Sequence, residues 1–294
     1  MHRRNFLQRS GLAILAIPSF FSFSHHKRDY PPHLKLALNA YSFNQALREG
    51  SMKLDDLLDF CASLAFDALD PTAYYFPGYP EVPDDHFLYD FKRKAYERGL
   101  AISGTGVRND FTLSDKEKRE TDFQLIENWV IAAAKIGAPS LRVFAGKEIN
   151  ERDAWKKARK RLIEGLKRSA DLGGKHGIMI NLQNHYEFLK TADEVEEVLQ
   201  EVQHPWLGLM LDIGSLRDNP YEEVRQLAPY ARSWQVKEEV YVNGKPEKTD
   251  IKRIVSIARD SNYRGYFPLE TLGEGDPKQK VKALLQEAQF AIEV

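Results

Sequence analysis

At 294 residues the chain has room for one large domain or two small ones, and its 43% hydrophobic and 29% charged residues suit a globular protein with a large core, not a disordered chain. A formal net charge of −1 and a pI near 6.7 lack the basic footprint of a nucleic-acid binder, so nucleic acid is set aside as a partner. Cys61 is the only cysteine; no internal disulfide can form, and its apolar helical setting is that of a buried, inert thiol.

In chain order the first element is an address. Residues 1–30 carry a basic segment, an apolar run from Gly11 to Phe23 and a small-x-small triplet, Ser22-Phe23-Ser24, the layout of a signal peptide with cleavage near Ser24. Arg3-Arg4-Asn5-Phe6-Leu7 resembles the twin-arginine export signal, whose cargo crosses already folded; a chance arginine pair is the plain alternative. The apolar run falls short of the roughly 20 residues that span a bilayer, so no stable membrane span is expected. The mature chain is expected in the periplasm.

From Leu34 onward, short apolar runs alternate with longer segments of helical period. Strands are predicted at 34–41, 66–71, 101–107, 140–146, 178–185, 207–214, 233–240 and 265–271. Helices are predicted at 53–64, 85–99, 115–137, 151–175, 192–202, 221–228, 249–262 and 277–292. Near-continuous apolar strands such as IMINL and GLML suit a parallel sheet covered on both faces. Eight strand–helix repeats close an α/β (β/α)8 TIM barrel, expected as one domain over residues 33–294. An open doubly wound sheet is the runner-up, but Gly104-Thr105-Gly106 lacks the third glycine of a dinucleotide fingerprint.

In such a barrel the chemistry sits at the carboxyl ends of the strands. Polar residues gather there: Asn39 and Tyr41 on strand one, Arg108 and Asn109 after strand three, Arg142 on strand four, and Gln183, Asn184 and His185 on strand five. Asp212 follows on strand six, Gln235, Lys237 and Glu238 on strand seven, and Glu270 on strand eight. Carboxylates, a lysine and amides at the inner end of a packed barrel must be paired, metal-bound or wetted, and a ligand pocket is the simplest remedy. Each also has a structural reading: Asp212 as an acceptor of loop N–H groups, Glu270 and Lys237 as an ion pair, and His185 as a hydrogen-bonded core residue. Convergence on neighbouring strands favours a site.

Together, Gln183-Asn184-His185, Leu211-Asp212-Ile213-Gly214, Gln235-Val236-Lys237-Glu238, and Glu270 ahead of Gly273-Glu274-Gly275-Asp276-Pro277 resemble the xylose isomerase-like TIM-barrel family of sugar phosphate isomerases and epimerases. That family commonly shows Glu-Asn-His, Leu-Asp-x-Gly, His-Val-Lys-Asp and a glutamate at the same four places. The resemblance implies a divalent metal held at Gln183, Asp212, Gln235 and Glu270, and a pair of glutamates acting as acid and base. Here two of the four positions are amides. A glutamine oxygen can still serve a hard cation, so Mg²⁺, Mn²⁺ or Ca²⁺ is expected ahead of Zn²⁺.

Gln183 can neither take nor return a proton, which leaves Glu270 as base, with His185 or Lys237 supplying the second proton or stabilising an enolate. Asn39, Tyr41, Arg108, Arg142, Asn184 and Glu238 are expected to contact the substrate. The expected activity is isomerisation or epimerisation of a sugar, or elimination from a keto-sugar, by proton abstraction beside a metal-polarised carbonyl. Export favours a non-phosphorylated sugar or glycoside as the small-molecule partner. The competing expectation is a non-catalytic sugar-binding protein on a degenerate barrel. A nuclease of the same family branch is disfavoured by the lack of a histidine-rich cluster.

Overall fold

Of the six residues in LKLALN only Lys35 is exposed, which places this strand among packed layers on both faces. The structure, a computed structural model, describes residues 33–293. The export signal expected over residues 1–30 lies outside them. The barrel strands are β1 (Leu34–Asn39), β2 (Ala68–Asp70), β3 (Ala101–Ile102), β4 (Thr105–Gly106), β5 (Ser140–Phe144), β6 (Met179–Gln183), β7 (Leu207–Asp212), β8 (Ala231–Lys237) and, after a hairpin of β9 (Glu239–Val242) and β10 (Lys245–Lys248), β11 (Gly265–Glu270). Helices α1 (Asn44–Glu49), α2 (Leu54–Ser63), α3 (Asp85–Glu97), α4 (Lys116–Ile136), α5 (Arg152–His176), α6 (Ala192–Val202), α7 (Pro220–Leu227), α8 (Ile251–Asp260) and α9 (Pro277–Glu293) supply the crossovers.

Every pairing between barrel strands is parallel, with β11 joining β1 to β8 and β7, β6 and β5 following in turn. The predicted strand at 101–107 is in fact two short pieces. β3 pairs with β2 and β4 with β5, and together they form the third stave that closes the ring. The break falls at Ser103-Gly104, where a Cβ on Gly104 would lie 2.9 Å from Ser140 Oγ. Across the break the ladder persists, Ser103 N–H donating to Leu69 O at 2.9 Å and Val107 N–H to Arg142 O at 3.1 Å. The result is the expected (β/α)8 barrel.

Local chemistry fixes the helix ends. Thr191 Oγ1 accepts from Glu194 N–H at 3.2 Å and Glu194 Oε2 accepts from Thr191 N–H at 3.2 Å, a reciprocal cap that starts α6. Gly177, at φ +71°, ends α5 with its N–H on the carbonyls of Gly173 and Gly174. The predicted strand at 233–240 stops at Lys237, and residues 239–248 form the β9–β10 hairpin instead. The reason is Asn243-Gly244, at φ +49° and +73°, the pair suited to a two-residue turn with both central residues left-handed. Below the site, fully buried Trp234 packs against Phe267 and Tyr263 at ring separations of 5.1 and 5.9 Å.

Candidate active site at the carboxyl ends of the strands

The last residues of β6, β7, β8 and β11 meet in one cluster. Asp212, with no exposed surface, uses Oδ1 to accept Gly214 N–H at 3.0 Å, which aims Oδ2 inward. Gln183 Nε2 donates to that Oδ2 at 2.8 Å and to Gln235 Oε1 at 3.2 Å. Because a carboxylate oxygen can only accept, the amide must present its NH₂ here and not its oxygen. Lys237 Nζ stands 3.1 Å from Asp212 Oδ2 and 2.8 Å from Glu270 Oε2. Burial alone would push the Lys237 pKa down, but Asp212 and Glu270 outweigh it and hold the pKa above the ordinary lysine value, so the ammonium stays charged. Glu270 is 3% exposed, and its buried Oε2 has the Lys237 ammonium as its ionic partner.

A cleft of about 670 Å³ opens beside this cluster, with His185, Lys237, Glu238 and Glu270 among its walls. His185 packs edge-on against Phe144 at 4.8 Å, with Nδ1 3.4 Å from Glu187 Oε2. Burial, partly offset by Asp212 and Glu187, lowers its pKa below the usual histidine value, so the ring is neutral near pH 7. Glu238 is tied to Lys280 at 3.0 Å. The fold therefore brings together Gln183, His185, Asp212, Gln235, Lys237, Glu238 and Glu270.

Other candidates are placed differently. Asn184 clasps the Asp212 backbone, accepting its N–H at 2.9 Å and donating to its carbonyl at 2.9 Å, so its amide is already engaged. Arg142 is buried, donating to Val107 O and, at 2.9 Å, to Tyr74 OH, with its guanidinium 4.1 Å over the Phe144 ring. Asn39 Oδ1 accepts Tyr41 N–H at 2.9 Å and starts the turn at 40–43. Arg108 is exposed, and neither it nor Tyr41 lines the cleft.

Asp70, at the end of β2, was missed by sequence reasoning. It is 3% exposed, its Oδ2 lacks a hydrogen bond, and burial pushes its carboxyl up to about 6, with Arg142 pulling down and Glu270 pushing further up. An aspartate ending the apolar run FDALDP was the available signal.

The donor set does not fit the divalent cation that the resemblance implies at Gln183, Asp212, Gln235 and Glu270. The two carboxylate oxygens such an ion would need already face the Lys237 ammonium, and Gln183 turns its nitrogen inward. Among the described residues no group of three or more His, Cys, Asp or Glu could hold a metal, and no helix is long and apolar enough to cross a membrane.

Solved structures share this architecture at low identity. D-psicose 3-epimerase in the presence of D-fructose superposes with a TM-score of 0.71 at 18% identity, covering 88% of this chain and 97% of that one. For 3-keto-D-glucoside 4-epimerase from E. coli in its apo form the values are 0.67 and 15%, over 87% and 99% of the two chains. A xylose isomerase-like TIM barrel protein from Mycobacterium smegmatis in complex with magnesium gives 0.65 and 19%, over 90% and 98%. Among curated proteins none matches in sequence. Residues 58–291 match the family described as xylose isomerase-like TIM barrel, and the chain belongs to that family.

Proposed function

We propose that the protein is a carbohydrate-active isomerase, epimerase or keto-sugar lyase in which Glu270 abstracts a proton from carbon next to a carbonyl. One observation carries this reading: Glu270 is a buried carboxylate with one oxygen, Oε2, beside a lysine ammonium, and it faces a cleft of about 670 Å³. The adjacent Lys237 ammonium, 2.8 Å from that oxygen, stabilises the enolate oxygen that develops as the proton leaves. Glu270 Oε2 takes the proton; Lys237 directs N–H at the carbonyl oxygen; the neutral His185 ring on the same cleft supplies or accepts the second proton. Glu238 and the walls around it hold the sugar hydroxyls.

With Gln183 unable to act as a base, proton return on one face, or elimination, is favoured over symmetric two-base epimerisation. The likeness to sugar epimerases supports the substrate class, and the export signal read at residues 1–30 favours a non-phosphorylated sugar or glycoside.

The test is a panel of keto-sugars and 3-keto-glycosides in D₂O. Solvent deuterium should enter the carbon next to the carbonyl, and Glu270→Gln should slow that exchange by about 10³-fold or more, as expected of a removed general base. Saccharide binding in calorimetry that is indifferent to Glu270→Gln, with no exchange on any sugar, would establish the sugar-binding alternative instead.

A further inference from the structure

The ammonium of Lys237 occupies the place in the cluster where positive charge is needed. Asp212 and Glu270 come from different strands, β7 and β11, and both direct an oxygen to Nζ, at 3.1 and 2.8 Å. Their neighbours at the other two corners, Gln183 and Gln235, are uncharged and bonded to each other. Two carboxylates and one ammonium leave a net charge of −1 in a pocket where Asp212 is wholly buried and Glu270 nearly so. A dication bound to the same two oxygens would stand where Nζ stands, within a few ångströms of a like charge in a poorly solvated space, and could enter only by expelling the lysine.

We propose that Lys237 is the resident cation of this site, taking the electrostatic place of a divalent metal, so that the protein handles its substrate without one. The inference rests on the reading of this end of the barrel as the active site. It assigns Gln183 and Gln235 a purpose: they keep a frame of oxygen and nitrogen atoms around Asp212, Gln183 without the charge of a glutamate and Gln235 without the metal-binding nitrogen of a histidine. It also narrows the ligand. The ammonium has three N–H groups and two carboxylate partners, so one N–H is left for a further acceptor. The side chain is 14% exposed and lines the cleft. An ammonium offers a substrate oxygen a point charge with a directed N–H, whereas a hard dication gathers several oxygens at once. The fitting substrate therefore presents one carbonyl oxygen at this point, and a neighbouring hydroxyl is not bound through the same cation.

The experiment is a Mn²⁺ titration of the full chain by calorimetry, with free Mn²⁺ followed by electron paramagnetic resonance, on wild type, Lys237→Met and Glu270→Gln. Wild type should show no saturable binding up to about 1 mM, the weak end of natural oxygen-ligand sites. Lys237→Met leaves two buried carboxylates without a counter-charge, so it should bind one Mn²⁺ at least about tenfold tighter than wild type and melt at higher temperature with Mn²⁺ present. One Mn²⁺ per wild-type chain, lost in Glu270→Gln, would overturn the proposal, as would a folded Lys237→Met that ignores Mn²⁺ as wild type does. The wild-type arm decides by itself if the methionine variant does not fold. No substrate enters the titration, so a failed sugar panel sinks the proposed function and leaves this inference standing.

Discussion

Replacing Asp70 with asparagine should flatten the pH dependence of folding stability. Asp70 ends β2 inside the barrel, 3% exposed, with Oδ2 unpartnered. Burial pushes its carboxyl from 3.8 up to about 6, Glu270 adding to the shift and Arg142 opposing it. A rise of about two units corresponds to about 3 kcal/mol. Since the folded pKa lies above the unfolded one, the native state holds this proton more tightly. The stabilisation is fully present below about pH 4 and is lost as pH rises through 6. Asparagine carries no proton to lose. The difference in unfolding free energy between variant and wild type should therefore move in the variant's favour by about 2 kcal/mol between pH 4 and pH 8. Any constant packing cost of the amide cancels in that comparison. Urea unfolding followed by circular dichroism at one-unit steps of pH gives the two curves. Parallel curves, with a separation that does not change across the range, would show that Asp70 ionises like a solvated carboxylate and refute the reasoning.

Two further substitutions probe the scaffold, beside the Glu270 and Lys237 variants above. Asn184→Ala removes both hydrogen bonds to the Asp212 backbone and leaves a buried N–H and carbonyl unpaired; a loss of about 2–4 kcal/mol is expected in denaturant unfolding, and a loss below about 0.5 kcal/mol would mean water replaces the amide. Gly173→Ala puts a Cβ 2.3 Å from Ile178 O, a backbone atom that cannot swing aside. Calorimetry should show a cost of about 1–3 kcal/mol, against a gain of about 1 kcal/mol expected from helix propensity alone.

Much of the architecture was legible because it follows from local patterns. Apolar runs such as IMINL and GLML, with capped helices between them, dictate strand, crossover and parallel pairing without long-range information. Their count gave the eightfold barrel. Asn243-Gly244 was equally legible as a hairpin turn, yet the polar run before it read as a strand end, and the extra strands β9 and β10 went unforeseen. The break in the third stave was not readable, since it depends on how closely Gly104 approaches Ser140 on a neighbouring strand.

For the site, the sequence determined the cast and the tertiary structure assigned the parts. Position along each strand was enough to gather Gln183, His185, Asp212, Gln235, Lys237 and Glu270 at one end of a barrel, because parallel strands of like length bring their carboxyl ends to one rim. Position could not say which polar atoms would be consumed by the fold. Asn184 spends its amide on the Asp212 backbone and Arg142 its guanidinium on Val107 and Tyr74, while Asp70, marked in the sequence only by its place near the end of an apolar run, emerges as a buried carboxyl without a full set of partners. Whether an amide shows its oxygen or its nitrogen, and whether a lysine reaches two carboxylates on other strands, are matters of a few ångströms in three dimensions. Those distances turn a four-residue metal pattern into a cluster built around the Lys237 ammonium.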